Sequence, residues 1–221
     1  MNPIWKHSVT VDVVIFTVEN EELEVLLIKR AAPPYEGEWA LPGGFLQEGE
    51  DSQSAALRIL KDKAGINKIY VEQLYTFDNL KTDPRGPVMS VAYFALLPIK
   101  AISITRNQDI QEPTFHKINS LPKLAFNHRL IFNYALKRLR SKLEYTNVIY
   151  SLLPNEFTFS QLQKTYELIF NKNLDKRNFR KKFMALDLIK PTKKILKGAR
   201  QRPAKLYTFT SKKITELVKF F

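Results

Sequence analysis

Residues 41–66 read LPGGFLQEGEDSQSAALRILKDKAGI and contain the strongest structural signal in the chain. It opens with a Pro-Gly-Gly turn and continues into a segment whose apolar residues recur at helical spacing. Asp51 or Ser52 can cap a helix at its start, and Gly65 is a typical stop signal at its end. The stretch therefore predicts a glycine-rich loop followed by a helix over Ser52–Ala64.

Short apolar runs rich in β-branched residues lie on both sides of this segment and predict strands. They cover residues 9–18, 23–28, 38–41, 69–77 and 89–97, with a hairpin turn at 19–22 and Pro/Gly-rich breaks at 32–37 and 83–87. Strands on both sides of a helix that begins after a Gly-Gly loop indicate an α+β fold.

The residues of the loop and helix also follow a known pattern. Gly44, Glu50, Arg58, Leu60, Gly65 and Ile66 fall in register with the Nudix box, and the segment resembles that family. Three positions depart from the pattern, since Ile59, Asp62 and Lys63 stand where the family has glutamates. In Nudix hydrolases, carboxylates three or four residues apart on one helix face bind Mg²⁺.

The departures bear on catalysis. Ile59 supplies no oxygen, Asp62 is a shorter acid, and Lys63 brings a cation to the place of a divalent metal. We therefore expect no hydrolase activity, no catalytic residue, no metal site and no requirement for Mg²⁺. The alternative is an active nucleoside-diphosphate hydrolase with an accessory nucleic-acid-binding domain, if another residue supplies a carboxylate. Glu50 and Arg58 have two explanations, an ion pair that holds the loop on the helix or direct contact with a ligand.

A Nudix-type pocket without its metal remains suited to a phosphate-bearing molecule. Cations can neutralise phosphates and aromatic side chains can stack on a base. The predicted ligand-binding residues are Arg30, Trp39, Gly43, Gly44, Glu50, Arg58, Phe77 and Arg85, with Lys29 and Tyr35 as further candidates.

Charge is unevenly spread along the 221 residues. Residues 144–221 hold 17 Lys and Arg against 6 Asp and Glu, which leaves 18 against 16 for the rest of the chain. A basic module beside a nearly neutral one suggests a polyanionic partner. The absence of cysteine excludes disulfides and thiolate chemistry, and no apolar run approaches the ~20 residues that span a bilayer. We expect a soluble cytoplasmic protein without a membrane partner.

The basic third predicts a helix-turn-helix. Residues 119–140 form an amphipathic connecting helix, near whose start His128 is a capping or packing residue rather than a ligand. A helix capped by Thr158 or Ser160 runs to Phe170, and residues 175–186 form a second, basic helix. Strands at 188–189 and 206–209 flank a basic wing. The predicted DNA-binding residues are Lys176, Arg177, Asn178, Arg180, Lys181, Lys182, Lys197, Arg200, Arg202 and Lys205.

The segments 157–166, 175–183 and 200–207, downstream of the altered Nudix box, resemble the Nudix-related transcriptional regulators over almost the whole chain. The resemblance implies a Nudix-type mixed-sheet α/β/α sandwich followed by a winged helix-turn-helix domain. It places the sensor in residues 1–142, with 119–142 as the connecting helix, and the DNA-binding domain in residues 143–221. It also implies a homodimer that binds a palindromic operator in double-stranded DNA.

The last expectation concerns the small molecule to which the regulator responds. The Arg-x-Arg-Pro-Ala of the wing resembles the NAD-linked branch of these regulators, which implies a repressor of NAD metabolism that responds to ADP-ribose. A regulator of sugar utilisation that senses a pentose or a sugar phosphate remains open. So does a protein that binds nucleic acid without sequence preference.

Overall fold

The computed structural model describes residues 7–66, 69–78, 83–98, 110–196 and 203–217. Within these residues the N-terminal part forms one seven-stranded sheet. Its strands are β1 (Ser8–Glu19), β2 (Glu22–Arg30), β3 (Trp39–Ala40), β4 (Gly43–Phe45), β5 (Tyr70–Asp78), β6 (Val88–Leu96) and β7 (Ile110–Lys117).

The sheet is mixed. Its main path is β3-β2-β1-β6-β5, with β4 paired to β1 and β7 paired to β2. β1 and β6 run parallel, and the other pairs of this sheet are antiparallel. The predicted hairpin is confirmed, and Asn20 and Glu21 form its turn with positive φ angles. Two strands were not predicted. Pro113 interrupts the apolar pattern of β7, and β4 begins with two glycines, which are typical of a turn.

The predicted helix of the Nudix-like segment is confirmed as α1 (Ser52–Ala64). The Asp51 carboxylate caps it by accepting a 2.7 Å hydrogen bond from the backbone N–H of Ser54. Gly65 ends it at φ 66°, a left-handed conformation that glycine adopts without a steric penalty. Its apolar stripe packs on one face of the sheet, against side chains of β1, β2 and β6.

The opposite face of the sheet is covered by α2 (His128–Tyr145). The two helices and the sheet between them form the predicted mixed-sheet α/β/α sandwich. The connecting helix was expected from residue 119 and begins at His128. The residues before it form a short 3-10 turn at Ile118–Ser120 and a non-helical stretch. The helix also continues past residue 142 without a break, since Leu143 is buried in the common core.

The C-terminal part is the predicted winged helix-turn-helix. Its elements are β8 (Phe157–Thr158), α3 (Phe159–Phe170), α4 (Lys176–Met184), β9 (Ile189–Leu196) and β10 (Ala204–Phe209). Thr158 and Gln161 form a capping box at the start of α3, and Asp175 caps α4. The sheet order is β8-β10-β9. β9 is longer than predicted, because its lysines and Pro191 are typical of a loop and pairing with β10 makes it a strand.

One apolar cluster joins the two parts of the molecule. Phe16 of β1, Leu139 of α2 and Leu162 of α3 all belong to it and are fully buried. The winged helix therefore packs on the same core that α2 shares with the sheet. Among the described residues, no helix combines the length and the apolar character needed to cross a membrane.

Candidate functional site

A cavity of about 240 Å³ opens beside the glycine-rich loop. Strands β1, β2, β4 and β6 form its floor, while α1 and the first turn of α2 close its sides. It contains three cationic and two anionic side chains, a formal excess of one positive charge. These are Arg30, Lys63, Arg85, Asp12 and Asp83.

The glycine loop lines this cavity because it must lie close to β1. Gly43 pairs with Asp12 and Gly44 with Val11, and a Cβ atom on Gly43 would overlap the Asp12 carboxylate. A Cβ atom on Gly44 would lie 3.9 Å from the side chain of Ile59. The predicted positions Gly43 and Gly44 thus lie in the cavity wall, where only glycine lets the backbone approach so closely at residue 43.

A buried polar cluster forms the floor of the cavity. Asp12 accepts hydrogen bonds from Ser90 Oγ at 2.5 Å and from Thr10 Oγ1 at 3.4 Å. His128 Nε2 lies 3.6 Å from Asp12 Oδ1, and its Nδ1 accepts a hydrogen bond from the backbone N–H of Leu41 at 2.9 Å. Because Nδ1 is an acceptor, the proton of the neutral imidazole is on Nε2 and points toward Asp12.

Burial lowers the pKa of His128, and the positive charges of Arg30 and Lys63 act in the same direction, against Asp12. The imidazole is therefore neutral near pH 7. His128 packs as predicted, and it also lines the cavity, which the sequence did not predict. Asp12 was missed as well, although an acid inside an otherwise apolar strand is a signal for a polar site.

The two arginines of the predicted site lie together. The guanidinium of Arg30 is 4.9 Å from the centre of the Phe126 ring, and that of Arg85 is 5.5 Å from the same ring and 4.7 Å from Phe45. Burial and the nearby charge of Arg85 lower the pKa of Arg30. Asp83 pairs with Arg85 at 2.6 Å and raises its pKa. Two cations on one ring repel each other, and an anionic ligand would relieve this repulsion.

The three altered positions of the Nudix-like box have different surroundings. Ile59 is 1% exposed and belongs to the core under α1, while Asp62 is exposed and its charge helps to raise the pKa of Arg58. Lys63 lines the cavity and donates a hydrogen bond to the backbone carbonyl of Gly43. In the described part of the chain, no three His, Asp or Glu side chains are grouped to hold a metal. This set of donors does not fit a Mg²⁺ ion, which prefers oxygen ligands.

Glu50 and Arg58 form an ion pair instead of lining the cavity. Arg58 Nε and its terminal nitrogen donate to the two Glu50 oxygens at 2.7 and 2.8 Å. Arg58 also donates to the carbonyl of Phe45, and Glu50 accepts from the backbone of Gln47. Of the two explanations from the sequence, the structure shows the one in which the pair holds the loop on the helix.

The predicted aromatic residues lie elsewhere. Phe77 is 6% exposed and packs edge-on against Tyr134 in the core, because its strand position faces α2. Trp39 packs against His116, with 4.4 Å between ring centres, and does not line the cavity. The structure therefore does not bring these two rings into the cavity lining, and their contact with a ligand stays a prediction.

The aromatic residues of the cavity wall are Phe45 and Phe126. Tyr35 is adjacent and packs edge-on against Phe126 at 4.7 Å. Phe126 has a positive φ of 51° in the turn before α2, and this conformation gave no signal in the sequence. Lys29, the remaining candidate, neighbours Arg30 on β2, so its side chain points to the other face of the sheet.

A second surface carries the positive charge of the C-terminal part. α4 buries Phe179 and Phe183 and exposes its predicted DNA-binding side chains. These are Lys176, Arg177, Asn178, Arg180, Lys181 and Lys182. Arg180 also donates to Tyr207 Oη at 3.0 Å and lies over the Phe159 ring at 4.7 Å. Lys205 is exposed on β10, whereas Lys197, Arg200 and Arg202 lie outside the described residues.

Comparisons with known families agree with this division of the molecule. The NUDIX domain matches residues 6–134, and the NrtR DNA-binding winged helix domain matches residues 149–209. The curated "ADPR responsive transcriptional repressor NtrR" of Acinetobacter baylyi is 39% identical over 90% of this chain and 81% of its own length. The "ADP-ribose pyrophosphatase" of Methanocaldococcus jannaschii is 35% identical, over 56% of this chain and 70% of its own length.

Solved structures match both parts. The NrtR of Shewanella oneidensis complexed with a 27mer DNA is 33% identical with a TM-score of 0.81, over 91% of this chain and 93% of its own. The NUDIX domain of the same protein complexed with ADP ribose is 34% identical with a TM-score of 0.56, over 62% and 90%. Because both domains match and the likeness to the repressor covers 90% of the chain, the chain belongs to the NrtR family of Nudix-related transcriptional regulators.

Proposed function

We propose that this chain is a transcriptional repressor that binds a palindromic operator as a homodimer and responds to ADP-ribose without hydrolysing it. The observation that carries the proposal is the cavity in which Lys63 occupies a metal-ligand position of the Nudix box beside Arg30 and Arg85. In the relatives, one repressor is named for its response to ADPR, and one NUDIX domain was solved with ADP ribose. The Nudix-type part, residues 1–142, is the proposed sensor.

The chemistry of the cavity supports a diphosphate-bearing ligand. Cationic side chains suit the phosphates, and Phe45 and Phe126 add aromatic surface to the cavity wall beside Arg30 and Arg85. A free pentose carries no charge for these cations to bind. This favours a phosphate-bearing effector such as ADP-ribose over a free pentose.

The basic face of α4 supports DNA binding. A second helix of a helix-turn-helix with exposed Lys and Arg side chains suits the major groove, with the wing on the phosphate backbone. In a homodimer, two such helices would read two half-sites. The effector would act by binding the DNA-competent and incompetent arrangements with different affinity, and α2 connects the cavity to the winged helix.

The absence of hydrolysis is supported by the same residues. A buried Ile59, an exposed Asp62 and a hydrogen-bonded Lys63 leave the Nudix helix without a set of metal-binding oxygens. The likeness to an ADP-ribose pyrophosphatase makes the direct test worthwhile. We expect ADP-ribose to remain intact in the presence of the protein and Mg²⁺, as measured by chromatography of the nucleotide.

A fluorescence anisotropy titration tests the proposal. The purified protein is titrated into a labelled duplex from its own upstream region, alone and with ADP-ribose, NAD or arabinose. We expect sequence-specific binding that ADP-ribose weakens and arabinose leaves unchanged. Equal binding of this duplex and of one with a scrambled sequence would instead identify a nonspecific nucleic-acid-binding protein, and a response to arabinose would identify a sugar sensor.

A further inference from the structure

Lys63 is positioned by two elements of the fold. It stands in the last turn of α1, whose apolar stripe is buried against the sheet, and its stem is partly buried. Its ammonium donates to the carbonyl of Gly43, in the loop that forms the cavity wall. The charge is therefore held at the junction of helix and loop, and it is not a solvated charge on the helix surface.

The charged groups around Lys63 indicate which kind of ligand its ammonium can bind. Arg30 and Arg85 line the same cavity, and the positive charge of Lys63 reaches far enough to help lower the pKa of His128. Of the two carboxylates present, Asp83 is paired with Arg85 and Asp12 accepts from Ser90 and Thr10. Three cationic side chains therefore line the cavity: Arg30 from strand β2, Lys63 from helix α1 and Arg85 from the loop before β6.

We propose that Lys63 replaces the divalent cation of a Nudix site as the electrostatic partner of the effector. Its ammonium, together with Arg30 and Arg85, binds the diphosphate directly, so effector binding does not depend on a divalent metal. Lysine binds phosphate as a compact point charge, which is the part of a metal's role that an ammonium can take over. This inference rests on the proposed function, because it assumes that the effector carries a diphosphate.

A purely structural role for Lys63 makes a different prediction. If the hydrogen bond to Gly43 only ties α1 to the loop, removal of the charge would lower stability without affecting charged ligands in particular. The two roles are separated by comparing a ligand that has phosphates with one that has none. Adenosine is suitable for this comparison, because it keeps the base and ribose and lacks the diphosphate.

The experiment is isothermal titration calorimetry of ADP-ribose and of adenosine, in EDTA and in MgCl₂. The proteins are the full-length wild type, Lys63→Gln, Lys63→Arg and the matched control Lys61→Gln, an exposed lysine on the same helix. Thermal melting and operator binding without effector verify that each variant is folded.

We expect the wild type to bind ADP-ribose equally in EDTA and in MgCl₂. Lys63→Gln should weaken this binding roughly 10- to 100-fold, as for loss of a hydrogen bond to a charged group, and leave adenosine unaffected. Lys63→Arg should retain most of the affinity, and Lys61→Gln all of it.

A wild type that binds ADP-ribose only with MgCl₂ would overturn the inference, whatever the variants do. An equal loss of ADP-ribose and adenosine binding in Lys63→Gln would also overturn it and assign Lys63 a structural role. If the wild type binds no ADP-ribose under either condition, the proposed function itself fails, so the two failures are distinguishable.

Discussion

The imidazole of His128 accepts a 2.9 Å hydrogen bond from the backbone N–H of Leu41. Leu41 directly follows β3 beside the cavity, and His128 is the first residue of α2, which runs on to the winged helix. Both residues also line the cavity. A ligand that displaces either residue therefore acts on the start of the helix that joins the two domains.

The burial of His128 makes stability depend on pH. Burial lowers the pKa of His128 in the folded state below the ~6.5 of an exposed histidine, so the unfolded chain binds more protons at mildly acidic pH. The stabilisation is fully present above the unfolded pKa and is lost as the pH falls through the folded pKa. We expect the Tm to decrease on acidification below about pH 6.5, as measured by circular dichroism.

The variant His128→Gln checks the assignment, because glutamine can accept a hydrogen bond and does not titrate. Its Tm should fall less steeply with acidification than that of the wild type. His116 acts in the same direction, since burial lowers its pKa too, so His116→Gln is the comparison. A slope that changes in His116→Gln and not in His128→Gln would contradict the prediction.

We expect a glutamate at position 59 to lower the free energy of unfolding substantially and not to restore hydrolysis. Ile59 is 1% exposed among apolar side chains of the sheet, so Ile59→Glu buries a carboxylate in apolar surroundings. The penalty for such a charge is several kcal/mol. Urea denaturation should show a loss of this size, whereas Ile59→Val should lose only about 1 kcal/mol. Similar midpoints for the two variants would show that the site accommodates the charge.

The ion pair of Glu50 and Arg58 should affect stability and leave the ligand unaffected. Arg58→Gln removes both hydrogen bonds to Glu50 and the one to the Phe45 carbonyl, so the loop after β4 loses its attachment to α1. We expect a lower Tm and faster amide exchange in this loop. The affinity for ADP-ribose should stay near that of the wild type, because neither residue lines the cavity. A selective loss of affinity would support direct contact.

Contacts of α4 with DNA should be measurable in the salt dependence of binding. Lys181 is exposed on this helix, and if it meets a phosphate, Lys181→Ala lowers the slope of log K against log salt by about one. Lys137→Ala, an exposed lysine of α2, is the control and should leave the slope unchanged. Arg180→Ala should also lower the Tm, because Arg180 lies over Phe159 and donates to Tyr207. Equal slopes for Lys181→Ala and Lys137→Ala would show that Lys181 does not contact a phosphate.

Local patterns in the sequence predicted most of the fold. Helix α1 was predicted with both of its ends because its caps, Asp51 and Gly65, and its apolar spacing are all local signals. The winged helix was predicted for the same reason, since Thr158 and Asp175 mark the starts of α3 and α4. β7 was missed, because its pairing with β2 is a contact between distant parts of the chain.

The candidate site was predicted only in part. Arg30, Arg85, Gly43 and Gly44 were identified by residue type and by the resemblance, and the structure brings them together. Phe77 and Trp39 were also predicted for it and pack outside the cavity, because an aromatic residue in a strand has the same local pattern whether it faces a core or a ligand.

Residue identity at fixed spacing was enough to predict two features: Ile59, Asp62 and Lys63 in place of the glutamates of the Nudix pattern, and a basic helix-turn-helix after them. The positions of these side chains follow from packing: Ile59 fills the core, and Lys63 lies in the cavity and donates to the carbonyl of Gly43. The tertiary structure also brought His128 to Leu41 and Asp12, which are far apart in the chain. Such contacts depend on how helices pack across a sheet, and local periodicity contains no information about that packing.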